Sequence, residues 1–415
     1  MEFDSAWGAV TRLRSGEISV REAVTAQLER LHECDRTTHA VAWFDDDLAE
    51  REAERLDTAF FRDRQSIGPL HGLPITVKDW IDVEGFPCAG DTGLHDRRPS
   101  ADATVVRRLR EAGAVVIAKT VAWGPDGGER TVLHPTHTDR LPGGSSTGEA
   151  VAVASGASIV GIGSDSGGSL RLPASWCGVV GFKPTTGLVP TTGHFPRVSD
   201  RHDGRTQIGP VARSLVDAGL ILTVIAGADG LDHAVPPVEL PWYEPLSAQG
   251  LTFAVVGGEE GVPAIDGDVA AAVEVAASLL EGAGLRRVRW TAPWSAEGLD
   301  ITRRYWSRST LTGAEVDRQL WDWDTFRYRY RRAAAEVDVL LTPTTATVAP
   351  VRGEVEEDHF AFTVAASLTG SPAVAVPFGE ARGGLPLSVQ LIGRPWEDPK
   401  VLAIARVLES ARSGG

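Results

Sequence analysis

Apolar residues near the N-terminus recur at intervals of three and four residues, as they do along one face of a helix. Ser19 and Glu22 stand at the start of this run as a capping box, in which each side chain satisfies a backbone N–H of the other residue. The apolar positions are Val20, Val24, Leu28 and Leu31. The pattern predicts a helix that ends near Cys34, then a short apolar piece and a second, charged helix over 46–63.

The rest of the chain alternates short apolar runs with helical patterns. Strands are predicted over 73–77, 114–118, 251–257, 337–341, 373–376 and 387–392. Helices are predicted over 102–113, from 213 to about 227, and over 268–280, 360–368 and 399–412. This alternation is typical of a sheet covered on both faces. We therefore expect a single α/β domain over residues 1–415, with a mixed sheet sandwiched between helices.

One stretch interrupts the alternation. Residues 235–250 are rich in proline and are the best candidate for an internal connection. The alternation of strand and helix resumes after it, which favours one continued sheet over two independent domains.

Two clusters of glycine and serine lie in the middle of the chain, GGSS at 143–146 and SGGS at 166–169. An Ala/Val/Ile run joins them, with room for one helix and one short strand. Glycines around a serine let backbone N–H groups turn toward a small anionic atom, as a tetrahedral acyl-transfer intermediate requires. Two ordinary Gly/Ser loops are the alternative interpretation.

Lys78 ends the apolar run LPITVK, which carries no other charge. A serine needs a base to become a nucleophile, and a buried lysine serves as one when it is neutral part of the time. No histidine lies in or beside either cluster. The pattern therefore favours a Ser–Lys arrangement over a Ser–His–Asp triad.

Lys78, Ser145 and Ser169, with GGSS followed by DSGGSLRLPAS, resemble the amidase signature family of Ser-cisSer-Lys carboxamide hydrolases. Flanking segments at 68–79, 178–190 and 384–393 also resemble family segments, so the likeness covers nearly the whole chain. The resemblance implies a large, twisted sheet. It also implies that Ser169 attacks the carbonyl carbon while Ser145, after a cis peptide with Gly144, relays the proton to Lys78.

The residues around the nucleophile receive supporting roles. The oxyanion hole is expected from the backbone N–H groups of Ser166, Gly167, Gly168 and Ser169. Asp165 and Arg171 are expected to be structural, since a carboxylate beside an arginine fixes a tight loop. Ser146 is a neighbour with no required role.

The sequence departs from the family pattern at two places. Thr147 stands where the family usually has glycine or serine, and a β-branched residue excludes most positive-φ geometries. Val121, Ala122 and Trp123 replace an asparagine and a Glu-Phe pair common in relatives. The loop after them is expected to shape the substrate pocket.

The pocket is expected to include Trp123, Gly144 and His194. A catalytic histidine is the alternative interpretation of His194. Aromatic residues over 305–330 are expected to form helices that close the opposite side of the pocket. These features predict a preference for amides with an aromatic or bulky apolar acyl part.

Composition limits the partners. The hydrophobic fraction of 42% and the charged fraction of 23% are those of a globular protein. The net charge of −15 argues against nucleic acid as a partner, since phosphate binding needs a basic surface. No leader-like segment opens the chain, and no apolar run approaches the roughly 20 residues of a membrane span. We expect a cytoplasmic monomer or homodimer that binds no membrane.

Other reactive side chains are expected to be structural. The three cysteines are Cys34, Cys88 and Cys177, and their odd number and wide spacing argue against a disulfide framework. Cys177 lies in an apolar stretch and is expected to be an inert packed thiol rather than a nucleophile. His134 and His137 flank Pro135, which argues against a helix presenting both to a metal. We predict no metal and no cofactor.

The sequence therefore predicts hydrolysis of a small-molecule carboxamide to a carboxylic acid and ammonia or an amine. One alternative is a transamidase-type subunit, which releases ammonia from glutamine into a partner enzyme acting on charged tRNA. The acidic charge and the lack of an extended basic segment argue against it. A catalytically silent binding protein on the same scaffold is a third hypothesis.

Overall fold

The chain is described by a computed structural model over residues 3–63, 68–90, 97–122, 131–196, 204–242, 247, 249–290, 294–307, 311–353 and 357–413. Within these ranges one sheet has the strand order β1-β3-β2-β4-β6-β5-β10-β11-β9-β7-β8. The strands are β1 Val41–Phe44, β2 Pro74–Lys78, β3 Val115–Thr120, β4 Val160–Asp165, β5 Val180–Lys183, β6 Gln207–Ala212, β7 Thr252–Val255, β8 Arg286–Val288, β9 Val339–Pro343, β10 Ala373–Glu380 and β11 Pro386–Gly393.

The sheet is mixed. β2 is parallel to β3 and to β4, and β7 is parallel to β8 and to β9, whereas the remaining pairs are antiparallel. β2, β3 and β4 are buried at every residue. A strand is buried in this way only when helices cover both faces of the sheet. The predicted α/β sandwich with a mixed sheet is therefore confirmed.

The helices include both predicted N-terminal helices, which are α2 and α3. They are α1 Ala6–Ser15, α2 Val20–Thr38, α3 Asp46–Arg62, α4 Thr104–Glu111, α5 Thr147–Ala154, α6 Arg171–Cys177, α7 Leu215–Ile225, α8 Gly267–Gly282, α9 Ser295–Trp306, α10 Gly313–Ala334, α11 Val364–Thr369 and α12 Asp398–Ser413. The capping box of Ser19 and Glu22 is present at the start of α2. None of the helices within the described ranges is long and apolar enough to cross a bilayer.

The structure contains strands β5, β6 and β8 and helix α1, which the sequence prediction lacked. β6 contains Gly209 and Pro210, which are unusual inside a sheet. The backbones approach closely here, since a Cβ added to Gly209 would lie 2.2 Å from the carbonyl oxygen of Phe182. The predicted helix over 360–368 is also shorter, because a 3₁₀ turn at Glu357–Phe360 precedes α11.

The sheet divides the chain into two blocks of neighbouring strands. β1 to β6 lie side by side, and so do β7 to β11. In the part of the chain that the structure describes, the antiparallel pair of β5 and β10 alone joins the two blocks of this sheet. The predicted connection over 235–250 lies between the blocks; its residues 243–246 and 248 fall outside the described ranges.

Candidate active site

Three parts of the chain meet at one edge of the sheet. Lys78 is the last residue of β2, and Ser164 and Asp165 end β4. Because β2 and β4 are parallel, their carboxyl ends lie at the same edge. Ser145 and Ser146 directly precede α5, which follows the first Gly/Ser cluster. The predicted helix and short strand between the two clusters are α5 and β4.

Lys78 lies at the centre of this edge and is completely buried. Its Nζ is 2.7 Å from Ser145 Oγ, 3.3 Å from Ser146 Oγ and 3.2 Å from Ser164 Oγ. Burial lowers the pKa of Lys78 to about 7, although the charges of Asp165 and Glu149 act in the opposite direction. Near neutral pH a large fraction of Lys78 is therefore uncharged and able to accept a proton.

The first cluster adopts the backbone that the family resemblance implied. The peptide bond between Gly144 and Ser145 is cis. Thr147 begins α5, so it does not need a positive φ and its β-branched side chain requires no local change. The Thr147 hydroxyl donates to the carbonyl of Gly143 at 2.8 Å. The two clusters are joined by the N–H of Ser146, which donates to the carbonyl of Ser169 at 3.1 Å.

The loop over 166–169 is folded around Asp165. The N–H of Gly168 donates to Asp165 Oδ1 at 2.8 Å, and Gly168 has a φ of 139°. The N–H of Gly168 is therefore already engaged by Asp165, and the role of Gly168 in the oxyanion hole stays a prediction. The N–H groups of Ser166, Gly167 and Ser169 have no hydrogen-bond partner within the described ranges. These three are therefore the predicted donors that are unengaged within the described ranges.

Asp165 and Arg171 form a completely buried ion pair. Arg171 Nε lies 2.9 Å from Asp165 Oδ2, and the terminal nitrogen lies 3.0 Å from Oδ1. Burial alone would raise the pKa of Asp165, but the Arg171 charge and its hydrogen bonds hold that pKa below its ordinary value. Arg171 also donates to Gln390 Oε1, to the Thr363 carbonyl and to Ser367 Oγ. The pair therefore ties the loop to the C-terminal block.

Ser169 is 8% exposed, and Ser145 is 3% exposed. The hydroxyl of Ser169 makes no hydrogen bond to the described residues, whereas that of Ser145 contacts the lysine amine. The structure therefore brings Lys78, Ser145 and Ser146 together and joins Ser169 to them through the backbone. The catalytic roles of these residues stay predictions.

Aromatic side chains approach the loop from the C-terminal block. A Cβ added to Gly167 would lie 3.0 Å from the Trp306 ring, and one added to Gly168 would lie 3.0 Å from the Phe360 ring. The two rings pack edge to face at 5.4 Å, and Trp306 is 44% exposed. Sequence reasoning included Trp306 in its aromatic segment but did not identify Phe360. Both rings are far from the loop in sequence, and no local pattern links them to it.

Four other aromatics of the predicted segment make different contacts or are exposed. Phe326 and Tyr330 pack against Trp294 in a separate buried cluster, and Trp321 and Tyr328 are exposed. Trp123, the predicted pocket residue on the near side, falls outside the described ranges. Trp306 is a member of the predicted segment that the structure places beside the loop.

His194 is buried beside Lys78. Its Nε2 lies 3.0 Å from Ser164 Oγ, and its Nδ1 lies 2.9 Å from the carbonyl oxygen of Pro196. Its ring also packs edge to face against Trp80, whose ring centroid is 4.2 Å from Lys78 Nζ. Sequence reasoning missed Ser164 and Trp80, although both lie within or beside segments that resembled the family.

The remaining reactive side chains are occupied by structural contacts. Burial raises the pKa of the Cys177 thiol above its ordinary value, as expected for an inert packed thiol. His134 Nε2 lies 2.9 Å from the Trp176 carbonyl, and its Nδ1 accepts from the N–H of His137. Within the described ranges no group of three or more His, Cys, Asp or Glu side chains could hold a metal ion.

Comparison with known proteins extends over nearly the whole chain. A family model described as Amidase matches residues 22–320 and 307–402. A glutamyl-tRNA(Gln) amidotransferase subunit of Synechococcus sp. (strain CC9902) is 32% identical over 98% of this chain and 96% of that protein. That alignment spans 477 residues, more than the 415 of this chain, so the relative carries insertions.

Two solved structures show how the backbone compares. The corresponding glutamyl-tRNA(Gln) amidotransferase subunit of Thermotoga maritima superposes with a TM-score of 0.76 at 27% identity, over 95% of this chain and 94% of that one. A 6-aminohexanoate cyclic dimer hydrolase superposes with a TM-score of 0.85 at 25% identity, over 98% and 96%. The backbone is thus more similar to that of the hydrolase, although the two identities are close.

Proposed function

Since the chain belongs to the amidase signature family, we propose that it hydrolyses the C–N bond of a small-molecule carboxamide through an acyl-enzyme on Ser169. The observation that carries this proposal is the buried Lys78 with its Nζ 2.7 Å from Ser145 Oγ. Burial makes the neutral amine accessible near neutral pH, and the serine gives that amine a proton to accept.

The reaction follows from this contact. Ser169 Oγ attacks the carbonyl carbon and gives its proton to Ser145, whose own proton passes to Lys78 Nζ. Negative charge develops on the carbonyl oxygen, and the N–H groups of Ser166, Gly167 and Ser169 donate to it. When the C–N bond breaks, the proton returns through Ser145 to the departing nitrogen. Water then attacks the ester by the same route, which releases the acid and restores Ser169.

The Trp306 and Phe360 rings favour a substrate with an apolar acyl group. Trp306 approaches Gly167, whose N–H donates to the reacting carbonyl in this mechanism, and Phe360 approaches the neighbouring Gly168. Burying an aryl group against these rings stabilises the complex more than burying a methyl group does. We therefore assign aromatic or bulky apolar carboxamides as the preferred substrates.

A glutamine-dependent transamidase subunit is the second candidate, because the Synechococcus relative is a subunit of a glutamyl-tRNA(Gln) amidotransferase. Glutamine carries an α-ammonium and an α-carboxylate, which need polar partners in the pocket. The two rings beside the loop favour the hydrolase, and so does the higher TM-score of the hydrolase structure.

Ammonia release by the purified chain alone tests the proposal. We expect kcat/KM for benzamide to exceed that for acetamide by at least about tenfold, and to exceed that for glutamine. A fluorophosphonate should label Ser169 in the wild type and leave Ser169→Ala unlabelled, as mass spectrometry of the peptides would show. Turnover of glutamine alone would favour the transamidase, and an adduct on Ser145 would refute the assigned nucleophile.

A further inference from the structure

Neutral lysine has two N–H bonds and one lone pair, and only the lone pair can take a proton from Ser145. Three hydroxyl oxygens surround Lys78 Nζ, those of Ser145, Ser146 and Ser164. The lone pair faces Ser145 only if the two N–H bonds are directed to the other two oxygens. Each of those oxygens must then accept, so its own hydrogen must be held by another acceptor.

The hydrogen of Ser146 is held by the backbone. Ser146 Oγ donates to the carbonyl oxygen of Ser164 at 3.1 Å. Ser146 Oγ also accepts a hydrogen bond from the N–H of Ser164 at 3.3 Å. Ser146 is therefore able to accept from Lys78 without competing for the lysine lone pair.

The hydrogen of Ser164 has a different acceptor, the imidazole of His194. A carbonyl oxygen can only accept, so the contact of Nδ1 with the Pro196 carbonyl at 2.9 Å places the ring proton on Nδ1. In the neutral ring Nε2 is then an acceptor, and it lies 3.0 Å from Ser164 Oγ. The Ser164 hydroxyl donates to His194 and accepts from Lys78.

The backbone holds His194 in place relative to Lys78. Residues just after β2 and the segment around His194 are joined by a β-bridge between Ile81 and His194. The N–H of Asp82 donates to the carbonyl of Gly193 at 2.8 Å, and the N–H of Phe195 donates to the carbonyl of Trp80 at 2.7 Å. The histidine and the lysine are thus carried by one paired segment.

We infer that His194 is a positioning residue, which directs the Ser164 hydroxyl away from Lys78 and so keeps the lysine lone pair on Ser145. This inference rests on the proposed function of Lys78 as the base. Without the imidazole, the Ser164 hydroxyl is free to donate to Lys78 Nζ, where it competes with Ser145. The loss of activity in a variant without the imidazole would then come from the freed Ser164 hydroxyl. Removing that hydroxyl as well should restore activity.

The test is a double-mutant cycle with His194→Phe and Ser164→Ala, assayed on the amide that the wild type turns over best. We expect His194→Phe to lower kcat by at least about tenfold with KM within about twofold, because proton transfer to a misdirected base is slow. The double variant should return to the kcat of Ser164→Ala. His194→Gln, whose amide oxygen can accept from Ser164, should keep most of the kcat.

His71→Phe is the matched control, because His71 is another buried histidine and stacks on Phe60 away from the site. It should leave the kcat of the folded enzyme unchanged. A double variant as slow as His194→Phe, or slower, would overturn the role of His194. An active, folded Lys78→Arg or an unlabelled wild-type Ser169 would instead remove the proposed function, so the two failures are distinguishable.

Discussion

Lys78 is a titratable group whose surroundings favour its neutral form. Its side chain is completely buried, and the three atoms within hydrogen-bond distance of its Nζ are hydroxyl oxygens rather than carboxylates. Hydroxyl groups stabilise an ammonium ion less than a carboxylate does, so the cost of burial decides the protonation state. The pKa of about 7 thus leaves part of the Lys78 amine neutral near neutral pH, as the proposed base requires.

The first prediction concerns catalysis by this base. The rate of amide hydrolysis should rise with pH through about 7, as the active neutral form of Lys78 becomes populated. Lys78→Ala should lose nearly all turnover, and its remaining rate should no longer rise with pH through this range. Lys78→Arg should be equally inactive, because arginine does not give up its proton. Substantial kcat in a Lys78→Arg that circular dichroism shows to be folded would contradict a lysine base.

The second prediction concerns stability. Between pH 7 and 10.5 the unfolded chain binds a proton at Lys78 that the folded chain does not, so the wild type gains stability as the pH rises through this window. Lys78→Met has no such group. The free energy of unfolding in urea of Lys78→Met minus that of the wild type should therefore fall from pH 8 to pH 10, by about 1.4 kcal/mol per pH unit. A difference that stays constant would show that Lys78 titrates normally.

At the scale of elements, helix α6 connects the candidate site to the other block. Arg171 is its first residue, and the side chain contacts β4 through Asp165, α11 through Ser367 and β11 through Gln390. Asp165 in turn holds the N–H of Gly168. A change at Arg171 therefore affects both the stability of the fold and the shape of the loop.

The third prediction follows from the burial of this pair. Arg171→Met leaves the Asp165 carboxylate buried without its partner, which should lower the free energy of unfolding by about 3–5 kcal/mol. The kcat of the remaining folded enzyme should also fall, because the loop loses its anchor. Arg304→Met is the matched control, since Arg304 pairs with Asp322 at the surface and such pairs contribute about 0–1 kcal/mol. Equal losses in both variants by urea denaturation would contradict the prediction.

Elements with a local signal were predictable from the sequence, and contacts between distant segments were not. Lys78 at the end of a strand and the Asp165–Arg171 pair follow from patterns within a few residues. His194 and Ser164 are 30 residues apart, and Phe360 is far from the loop it contacts. β6 was missed because Gly209 and Pro210 are typical of turns, whereas here a close backbone approach requires the glycine.

At the scale of the whole molecule, the strand order separates the chain into two halves that meet at β5 and β10. Lys78, Ser145 and Ser169 all belong to the first half. Three of the groups that Arg171 contacts belong to the second half, as do Trp306 and Phe360. The first half therefore holds the proposed chemistry but lacks the residues that brace and cover it.

The fourth prediction tests this division. Coexpressed fragments of residues 1–242 and 247–415 should copurify and hydrolyse the amide, because the break falls between the two blocks of strands. Residues 1–242 alone should be inactive. A break at Gly156, between α5 and β4, is the control and should give no active complex, because it divides a block. If both broken chains were equally active, the block boundary would have no special role.

The strand order also determines how long β5 waits for its partner strand during translation. β5 ends at Lys183 and β10 begins at Ala373, so about 190 residues must be translated before β5 meets its partner. At ~5–20 residues per second this takes roughly 10–40 s. During that time the nascent chain exposes an unpaired strand edge, which can pair with other chains. The hydrogen bond from Arg171 to Gln390 also cannot form until Gln390 has been translated. We therefore expect ribosome-bound chaperones to hold the first half until the second half emerges.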